Sequence, residues 1–455
     1  MTDKLDALRA ALPDTRVITD PDVMDGYRRD QTPVLTPGTP LCVVLAHSTQ
    51  DVAATLAWAQ EHKVPVVPRG GGTSLAGGAT ATDGCVVLST ARMTGPIEVD
   101  AANEFAVAEA GVLNADLDRA AAEHGLMYAP DPSSWEISTI GGNLATNAGG
   151  LRCVKYGVTR DSVLGLEVVL AGGRILRTGR RTMKGVTGYD LTSLFVGSEG
   201  TLGVITSATL RLRPRPALYP ATLAAGFPSF AVAARAVTAI IAARIGPSLL
   251  ELMDKVTLRA IDDWKHTGFG TDVQALLIAQ DDSDSGAQGA ARMRELCLAE
   301  GATMAEVSDS EAESRQLLEL RRMSYPAVER LGVGLVEDVC VPRSRLPEMV
   351  ERIEQAASRH GVFIATVAHA GDGNLHPVFV FDRGLPEVPP EVWAAADEVF
   401  RAALDLGGTL TGEHGVGAIK RRWLAAELGA ESMAVHHAIK TALDPAGILN
   451  PGKGI

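Results

Sequence analysis

The sequence of 455 residues contains few cysteines and few aromatic residues. The five cysteines are far apart and form no C-x-x-C motif, which excludes a disulfide framework and a cysteine cluster for zinc or iron–sulfur; they are Cys42, Cys85, Cys153, Cys297 and Cys340. A long apolar run is also missing, because the most apolar stretch, 230–253, is interrupted by Arg235, Arg244 and Pro247. That stretch predicts a core or amphipathic helix, not a membrane span.

Positive charge is in short supply as well, with 42 Lys and Arg against 55 Asp and Glu and a net charge of −13. This balance argues against nucleic acid or an anionic membrane as the main partner. Residues 1–14 alternate acidic and basic side chains without an apolar segment, so we expect no signal peptide and a cytoplasmic protein. The length predicts two or three domains, since one domain usually has about 100–200 residues.

Neither a Walker motif nor a Rossmann G-x-G-x-x-G motif occurs in the glycine-rich segments, although the chain has 47 glycines. These glycines cluster at 70–78, 140–150, 196–203, 371–373 and 412–417, and the first three clusters alternate with β-rich runs. Loop 65–79 follows a strand and presents consecutive backbone N–H groups that can surround a diphosphate, with Arg69 adding a cation. A set of tight turns is the alternative for this loop alone.

The second cluster, within 130–150, adds small polar side chains among its glycines, as expected for contact with a large polar cofactor. Together with 197–206, these loops resemble the flavin-binding domain of the vanillyl-alcohol oxidase/PCMH superfamily. Nearly the whole chain is similar to the FAD-linked D-lactate dehydrogenase/glycolate oxidase family. The resemblance implies an α+β fold with a PCMH-type FAD-binding domain of two α+β subdomains, a ferredoxin-like substrate domain and a C-terminal helical segment that returns to the flavin.

The resemblance also implies which residues contact FAD. They are Arg69, Gly70, Gly71, Gly72, Thr73, Ser74, Gly78, Pro130, Asp131, Ser134, Thr139, Gly142, Asn143, Thr146, Gly149, Glu199, Val204, Ile205 and Asn450. Many superfamily members carry a flavin-linked histidine in the first loop, where this chain has Thr73. We therefore expect non-covalent FAD.

Three prolines in 211–220 mark a domain boundary. We expect an FAD-binding domain at 1–216, a substrate domain at 217–400 and a C-terminal segment at 401–455. Beyond the boundary the glycine clusters thin out, and the pattern predicts helices at 229–245, 286–300, 310–331 and 344–360, with strands at 273–280 and 333–341.

Segment 361–381 contains two β-rich runs joined by Asp372-Gly373, the signal for a two-residue type I′ turn. With that loop, His369 pairs with His376, and directly opposed side chains are close enough to share a divalent metal. Without a third ligand, a surface pair of histidines is the alternative. Glu413 and His414 lie in the glycine-flanked loop 408–417, and a His-His-Glu set is a catalytic zinc set.

The resemblance assigns His369, His376 and Glu413 as metal ligands, His414 as the general base and Arg321 as the cation that grips the substrate carboxylate. Arg322 is the alternative if the alignment is displaced by one residue. The implied reaction is the oxidation of a D-2-hydroxy acid with hydride transfer to FAD. Zinc is the preferred metal, and iron or manganese suits the same ligands.

Strand 332–342 contains Glu337 and Asp338 but no Lys or Arg, which favours D-lactate or glycolate over D-2-hydroxyglutarate. An alkyl-glycerone-phosphate synthase-like flavoenzyme and a non-catalytic flavin electron-transfer subunit remain alternatives. The expected partners are a small 2-hydroxy acid and an electron acceptor such as a quinone, a cytochrome or an electron-transfer protein. The oligomeric state is left open, with a homodimer as one option.

Overall fold

The computed structural model describes residues 2–13, 16–182, 184–216, 219–268 and 273–455. The chain forms two compact units. The first, here called the flavin unit, comprises Met1–Gly149, Gly157–Arg215 and Glu413–Ile455; the second, here called the substrate unit, comprises Gly150–Tyr156 and Pro216–Gly412. The sequence division places segment 150–156 in the first domain and a boundary at 400/401, whereas the substrate unit includes that segment and extends to Gly412.

The first part of the flavin unit is a four-stranded sheet in the order β1-β2-β4-β3. Its strands are β1 (Val17–Ile18), β2 (Cys42–Leu45), β3 (Val66–Arg69) and β4 (Val86–Ser89), and its helices are α1 (Thr2–Ala11), α2 (Pro21–Arg28) and α3 (Thr49–His62). Helix α3 begins at a capping box in which Ser48 and Asp51 each bind the other's backbone N–H. It connects the parallel strands β2 and β3, which both pair with β4.

The second part of the flavin unit is a five-stranded antiparallel sheet in the order β5-β6-β10-β8-β9. Its strands are β5 (Glu98–Asp100), β6 (Phe105–Glu109), β8 (Val163–Val169), β9 (Ile175–Gly179) and β10 (Val204–Arg211), and β7 (Leu126–Met127) pairs separately with β11 (Arg213–Pro214). The helices of this unit are α4 (Asn114–Ala122), α5 (Ile140–Thr146), α7 (Leu191–Phe195) and the C-terminal α15 (Arg421–Leu443). Helix α15 is interrupted at Gly429, where φ is 72°.

The substrate unit contains an antiparallel sheet in the order β15-β12-β14-β13-β18-β19-β16, with β17 also paired to β19. Its strands are β12 (Ala221–Phe227), β13 (Leu249–Asp254), β14 (Ala275–Asp281), β15 (Met304–Val307), β16 (Val333–Val336), β17 (Val339–Cys340), β18 (Phe363–His369) and β19 (Asn374–Phe381). Its helices are α6 (Cys153–Tyr156), α8 (Phe230–Ala242), α9 (Lys255–Lys265), α10 (Gly286–Ala299), α11 (Glu311–Arg322), α12 (Ser324–Glu329), α13 (Leu346–His360) and α14 (Pro390–Asp405).

The first four strands of this sheet, with α8 and α10, have the order and connectivity of a ferredoxin-like unit. The α+β fold class expected from the sequence is confirmed. The apolar stretch 230–253 is a helix followed by the buried strand β13, so its interpretation as a single helix is wrong. Gly246 and Pro247 lie between the two elements, where a turn is needed. In the described residues no helix combines the length and apolar character required to cross a membrane.

Candidate active site

The two glycine-rich loops of the flavin unit lie directly against each other. A side chain at Gly70 would overlap the Thr139 hydroxyl, and one at Gly71 would meet the carbonyl oxygen of Ile137. Only glycine therefore allows the first loop to approach the segment before α5 so closely. At the edge of this loop, Arg69 donates from Nη1 to the carbonyl oxygen of Arg29 at 2.7 Å. Burial lowers the pKa of Arg69.

Two of the first residues of α5 are glycines, and the N–H group of Gly141 donates to the carbonyl oxygen of Ala110 at 2.8 Å. Thr139 caps this helix, and its hydroxyl oxygen accepts from the N–H of Gly142 at 3.2 Å. Ser138 Oγ and Asn143 Nδ2 are buried, and neither has a hydrogen-bond partner among the described residues. Buried polar atoms normally have partners, so these two atoms fit a polar cofactor such as FAD at this place.

The remaining residues expected near FAD are spread along the same unit. Pro130 is buried, whereas Thr73, Ser74, Gly78, Asp131 and Ser134 are partly exposed on loops. Thr146 donates its hydroxyl to the carbonyl oxygen of Gly142 at 3.1 Å. Val204 and Ile205 begin β10, and their side chains belong to the two main hydrophobic cores of the unit. Their side chains therefore stabilise the sheet that carries these loops.

Glu199 fixes the C-terminal segment of the flavin unit. Its backbone is in the left-handed region, with φ at 51°. Its carboxylate oxygens accept from the backbone N–H groups of Val416 at 2.9 Å and Gly417 at 2.7 Å. Desolvation raises the pKa of Glu199, and the two backbone donors act in the opposite direction. The loop after His414 is thus held by one carboxylate.

Asn450 is almost fully buried and closes the same region. Its Nδ2 donates to the carbonyl oxygens of Gly78 at 3.0 Å and Glu199 at 2.8 Å, both on segments expected to contact FAD. Lys453 donates to Asn450 Oδ1 at 3.2 Å and also bonds the carbonyl oxygen of Thr80. Burial lowers the pKa of Lys453 to about 8. The C-terminal residues are therefore docked into the flavin unit, as the sequence predicts.

In the substrate unit, the β18–β19 hairpin brings two predicted metal ligands together. The imidazole rings of His369 and His376 have centroids 4.9 Å apart and planes at 83°. The predicted register is wrong, however, because His369 is opposite Asn374 and His376 is opposite Val367. The loop has four residues, since the N–H groups of Asp372 and Gly373 both bond the carbonyl oxygen of His369. The histidines are diagonal neighbours that share a face.

Glu251, which was not predicted from the sequence as a site residue, is a buried carboxylate that bonds both to this hairpin and to Arg321. Glu251 on β13 is fully buried. Its Oε1 accepts from His369 Nδ1 at 2.7 Å, and its Oε2 accepts from Arg321 Nε at 2.7 Å. A charged residue inside the apolar run SLLELMD is the sequence signal that could have indicated Glu251.

The two arginines considered for the substrate carboxylate differ sharply in environment. The side chain of Arg321 is 8% exposed, whereas that of Arg322 is 45% exposed and pairs with Glu319 at 3.2 Å. Arg321 uses Nε for Glu251, so its two terminal NH2 groups are the donors suited to a carboxylate ligand. Of the two, Arg321 is therefore placed beside the histidine hairpin.

The loop that carries Glu413 is anchored at both ends. On the substrate side, Asp338 accepts from Thr411 Oγ1 at 2.9 Å and from the N–H of Gly412 at 2.6 Å. Gly412 also lies against the side chain of Asn374 on β19. On the flavin side, the Glu413 carboxylate lies against Gly149 at the end of the second cofactor loop. Gly412 and Glu413 are the residues at which the chain passes from the substrate unit to the flavin unit.

His414 lies beside Glu413 in this loop. Its Nε2 lies 3.9 Å from Glu413 Oε1, and both side chains are partly buried. A histidine beside a carboxylate is suited to accept and hold a proton near neutral pH.

Two family models match the two parts of the chain. A family model described as "FAD binding domain" matches residues 40–179, and one described as "FAD linked oxidases, C-terminal domain" matches 219–454. Glycolate oxidase subunit GlcD of Bacillus subtilis (strain 168) is 43% identical over 430 residues, which cover 94% of this chain and 91% of that protein. D-lactate dehydrogenase of Archaeoglobus fulgidus is 38% identical over 436 residues, covering 94% and 95%.

A solved structure of p-cresol methylhydroxylase with substrate bound matches with a TM-score of 0.81 and 20% identity, covering 99% of this chain and 96% of that one. The fold, the family models and the relatives define an FAD-dependent oxidoreductase with a PCMH-type flavin-binding unit. The chain belongs to the FAD-linked oxidases, in the group that contains D-lactate dehydrogenase and the GlcD component of glycolate oxidase.

Proposed function

We propose that this enzyme oxidises a D-2-hydroxy acid, with D-lactate or glycolate favoured, to the 2-oxo acid. The reaction removes a hydride from C2 and a proton from the hydroxyl group of the substrate. The observation that carries the proposal is the arrangement in the substrate unit, where the His369–His376 pair and Arg321 meet at Glu251. Imidazoles that can bind a metal and a cation that can bind a carboxylate are thereby brought to one place.

A divalent metal, with zinc preferred, fits the residues of this site. His369 uses Nδ1 toward Glu251, which assigns the ligand role to Nε2. His376 is its diagonal neighbour on the hairpin. Glu413 is the third proposed ligand, as the family resemblance implies. Two imidazoles and one carboxylate are the ligands of catalytic zinc sites.

When bound, FAD supplies the hydride acceptor and the metal supplies a Lewis acid for the hydroxyl oxygen of the substrate. The chain's own residues then have separate tasks. Arg321 binds the substrate carboxylate with its terminal NH2 groups and so fixes one end of the molecule. His414 accepts the hydroxyl proton, for which an imidazole has a suitable pKa.

FAD is proposed to be bound without a covalent link, because Thr73 stands where other superfamily members carry a histidine. The backbone donors of the first glycine loop, with the side chains of Ser138 and Asn143, are the groups proposed to hold it. We further propose a cytoplasmic enzyme that transfers electrons to a separate quinone, cytochrome or electron-transfer protein.

The carboxylates Glu337 and Asp338 favour a substrate with a single carboxylate. The predicted strand 332–342 is divided into β16 and β17, and the two residues between them, Glu337 and Asp338, are buried carboxylates. Asp338 accepts hydrogen bonds from Thr411 and Gly412. A second substrate carboxylate beside these two carboxylates would be repelled. D-2-hydroxyglutarate is therefore the alternative substrate, and it requires a cation from elsewhere in the chain.

The test is anaerobic reduction of the bound flavin. Purified protein is mixed with D-lactate, L-lactate, glycolate or D-2-hydroxyglutarate, before and after removal of metal with a chelator. We expect D-lactate or glycolate to bleach the visible flavin absorbance, and we expect chelation to abolish bleaching until zinc is restored. Reduction by D-2-hydroxyglutarate alone would replace the favoured substrate, and a spectrum unchanged by every acid in zinc-loaded protein would refute the proposed function.

The variant His414→Ala separates the enzyme from a passive electron carrier. We expect it to retain FAD and lose reduction by the hydroxy acid, because no base remains for the hydroxyl proton. Undiminished reduction in this variant would remove His414 from the mechanism.

A further inference from the structure

Glu251 occupies a special position in the sheet of the substrate unit. Strands β13 and β18 are antiparallel neighbours, and their register places Glu251 directly opposite His369. The Glu251 side chain is 0% exposed, and both of its oxygens accept hydrogen bonds of 2.7 Å, from His369 Nδ1 and from Arg321 Nε. A buried carboxylate is costly unless charged or polar partners compensate it. Its two partners here are both residues with proposed roles in the reaction.

Each of these hydrogen bonds fixes one property on which the proposed role of its donor depends, namely the proton position on His369 and the guanidinium plane of Arg321. A carboxylate only accepts, so the bond to His369 requires a proton on Nδ1, and in the neutral imidazole Nε2 then carries the lone pair. That tautomer is the one in which Nε2 can ligate a metal. The bond to Arg321 uses Nε and sets the plane of the guanidinium group, because the group is rigid.

We infer that Glu251 is a positioning residue that sets the tautomer of His369 and the orientation of Arg321 together. The inference rests on the proposed function and deepens it, since Glu251 then aligns both a residue proposed to bind the metal and the residue proposed to bind the carboxylate of the substrate. Glu251 itself acts through its two neighbours.

Glutamine is the informative replacement, because it keeps the shape of the side chain. Its amide has one accepting oxygen and one donating NH2 group, so it satisfies His369 and Arg321 only one at a time. An NH2 group facing Nδ1 draws the proton of His369 to Nε2 and blocks ligation. An NH2 group facing Arg321 places donor against donor and releases the guanidinium.

Asp254 provides a control for the loss of a carboxylate charge on the same strand. It is partly buried, and its oxygens accept from the backbone N–H groups of Thr257 and Thr366, each at 2.8 Å. Its replacement by asparagine therefore removes a carboxylate of the same sheet that is bonded to neither His369 nor Arg321.

The first experiment measures zinc affinity by competition with a chelating dye and KM for the preferred hydroxy acid, using the FAD-loaded full chain. We expect Glu251→Gln to weaken zinc binding by about 10- to 100-fold, as loss of a carboxylate behind a metal-bound histidine typically does, and to raise KM. Asp254→Asn keeps the zinc affinity and KM of the wild type. Unchanged zinc affinity and KM in Glu251→Gln would overturn the inference.

The second experiment observes the tautomer of His369 by nitrogen-15 NMR of histidine-labelled wild-type protein without zinc, with assignment by His369→Asn. We expect the proton on Nδ1; a proton on Nε2 would overturn the inference even if Glu251→Gln fails to fold. This result needs no substrate and no metal. A wild-type protein that binds no zinc and is reduced by no hydroxy acid would therefore refute the proposed function, while the tautomer still decides the role of Glu251.

Discussion

Arg321→Met tests the buried ion pair of the substrate unit because it removes one charge and keeps an unbranched side chain. Glu251 is fully buried, so the substitution leaves its carboxylate without the opposite charge of Arg321. Breaking a buried pair by removing one partner typically costs about 3–5 kcal/mol of folding free energy. We expect a loss of that size in the free energy of unfolding of the substrate unit.

The same substitution removes the hydrogen bonds that Arg321 is proposed to donate to the substrate carboxylate. Hydrogen bonds to charged groups contribute about 1.5–3 kcal/mol, and each 1.4 kcal/mol is a factor of about ten in affinity. We therefore expect KM for the hydroxy acid to rise by about 10- to 100-fold at temperatures where the variant is folded.

Urea denaturation and steady-state kinetics are measured beside Arg322→Met, which changes the adjacent residue of the same helix. Arg322 is largely exposed and pairs with Glu319 on the surface, so its loss changes stability by less than about 1 kcal/mol and leaves KM unaltered. The reasoning is refuted if both variants unfold alike, or if KM rises for Arg322→Met and not for Arg321→Met.

Three further predictions concern the flavin unit and the Glu413 loop. Burial lowers the pKa of Lys453 from 10.5 to about 8, so between these two pH values the unfolded chain binds more protons than the folded chain. The free energy of unfolding of the wild type therefore rises by about 3 kcal/mol as the pH increases from about 8 to about 10.5. We expect Lys453→Met to lack this rise when urea unfolding is measured across the same pH range. Asp338→Asn can accept only one of the two bonds from Thr411 and Gly412, and we expect about tenfold weaker zinc binding in a dye-competition assay. Gly70→Ala places a methyl group against the Thr139 hydroxyl, and we expect the purified protein to contain little flavin by absorbance.

Each of these three predictions has a control and a contrary outcome. An identical pH dependence in wild type and Lys453→Met would show that the lysine is not the titrating group. Thr411→Val removes one of the two bonds to Asp338, so an effect on zinc larger than that of Asp338→Asn would contradict the anchoring role. Gly26 lies on helix α2, and a side-chain carbon added there would meet no atom within 4 Å, so Gly26→Ala is the control for Gly70→Ala. Equal flavin content in the two variants would contradict the close packing of the loops.

The sequence was informative where local chemistry decides structure. The helices predicted at 286–300 and 344–360 correspond to α10 (Gly286–Ala299) and α13 (Leu346–His360), because the spacing of apolar residues along a helix is a local signal. The hairpin shows the limit of such signals. Asp372-Gly373 predicts a two-residue turn, but the loop closes on the carbonyl oxygen of His369 and has four residues. The histidines still share a face because side chains alternate with a period of two.

Glu251 could not be inferred in the same way. Its partner His369 lies 118 residues further along the chain, and its partner Arg321 lies 70 residues away. Only the sheet order places β13 beside β18, and strand order is a global property of the fold. A lone charge in an apolar strand indicates a buried carboxylate, but the sequence does not name its partners.

The seven residues from Ile448 to Gly454 have a consequence for how the flavin unit folds. Leu449 forms a parallel bridge with Val66, and Asn450 binds the carbonyl oxygens of Gly78 and Glu199, which lie 372 and 251 positions away in the sequence. Such contacts form only after very long loops have closed, and the entropy of loop closure must be overcome before they stabilise the chain. We therefore expect the flavin unit to fold slowly for its size.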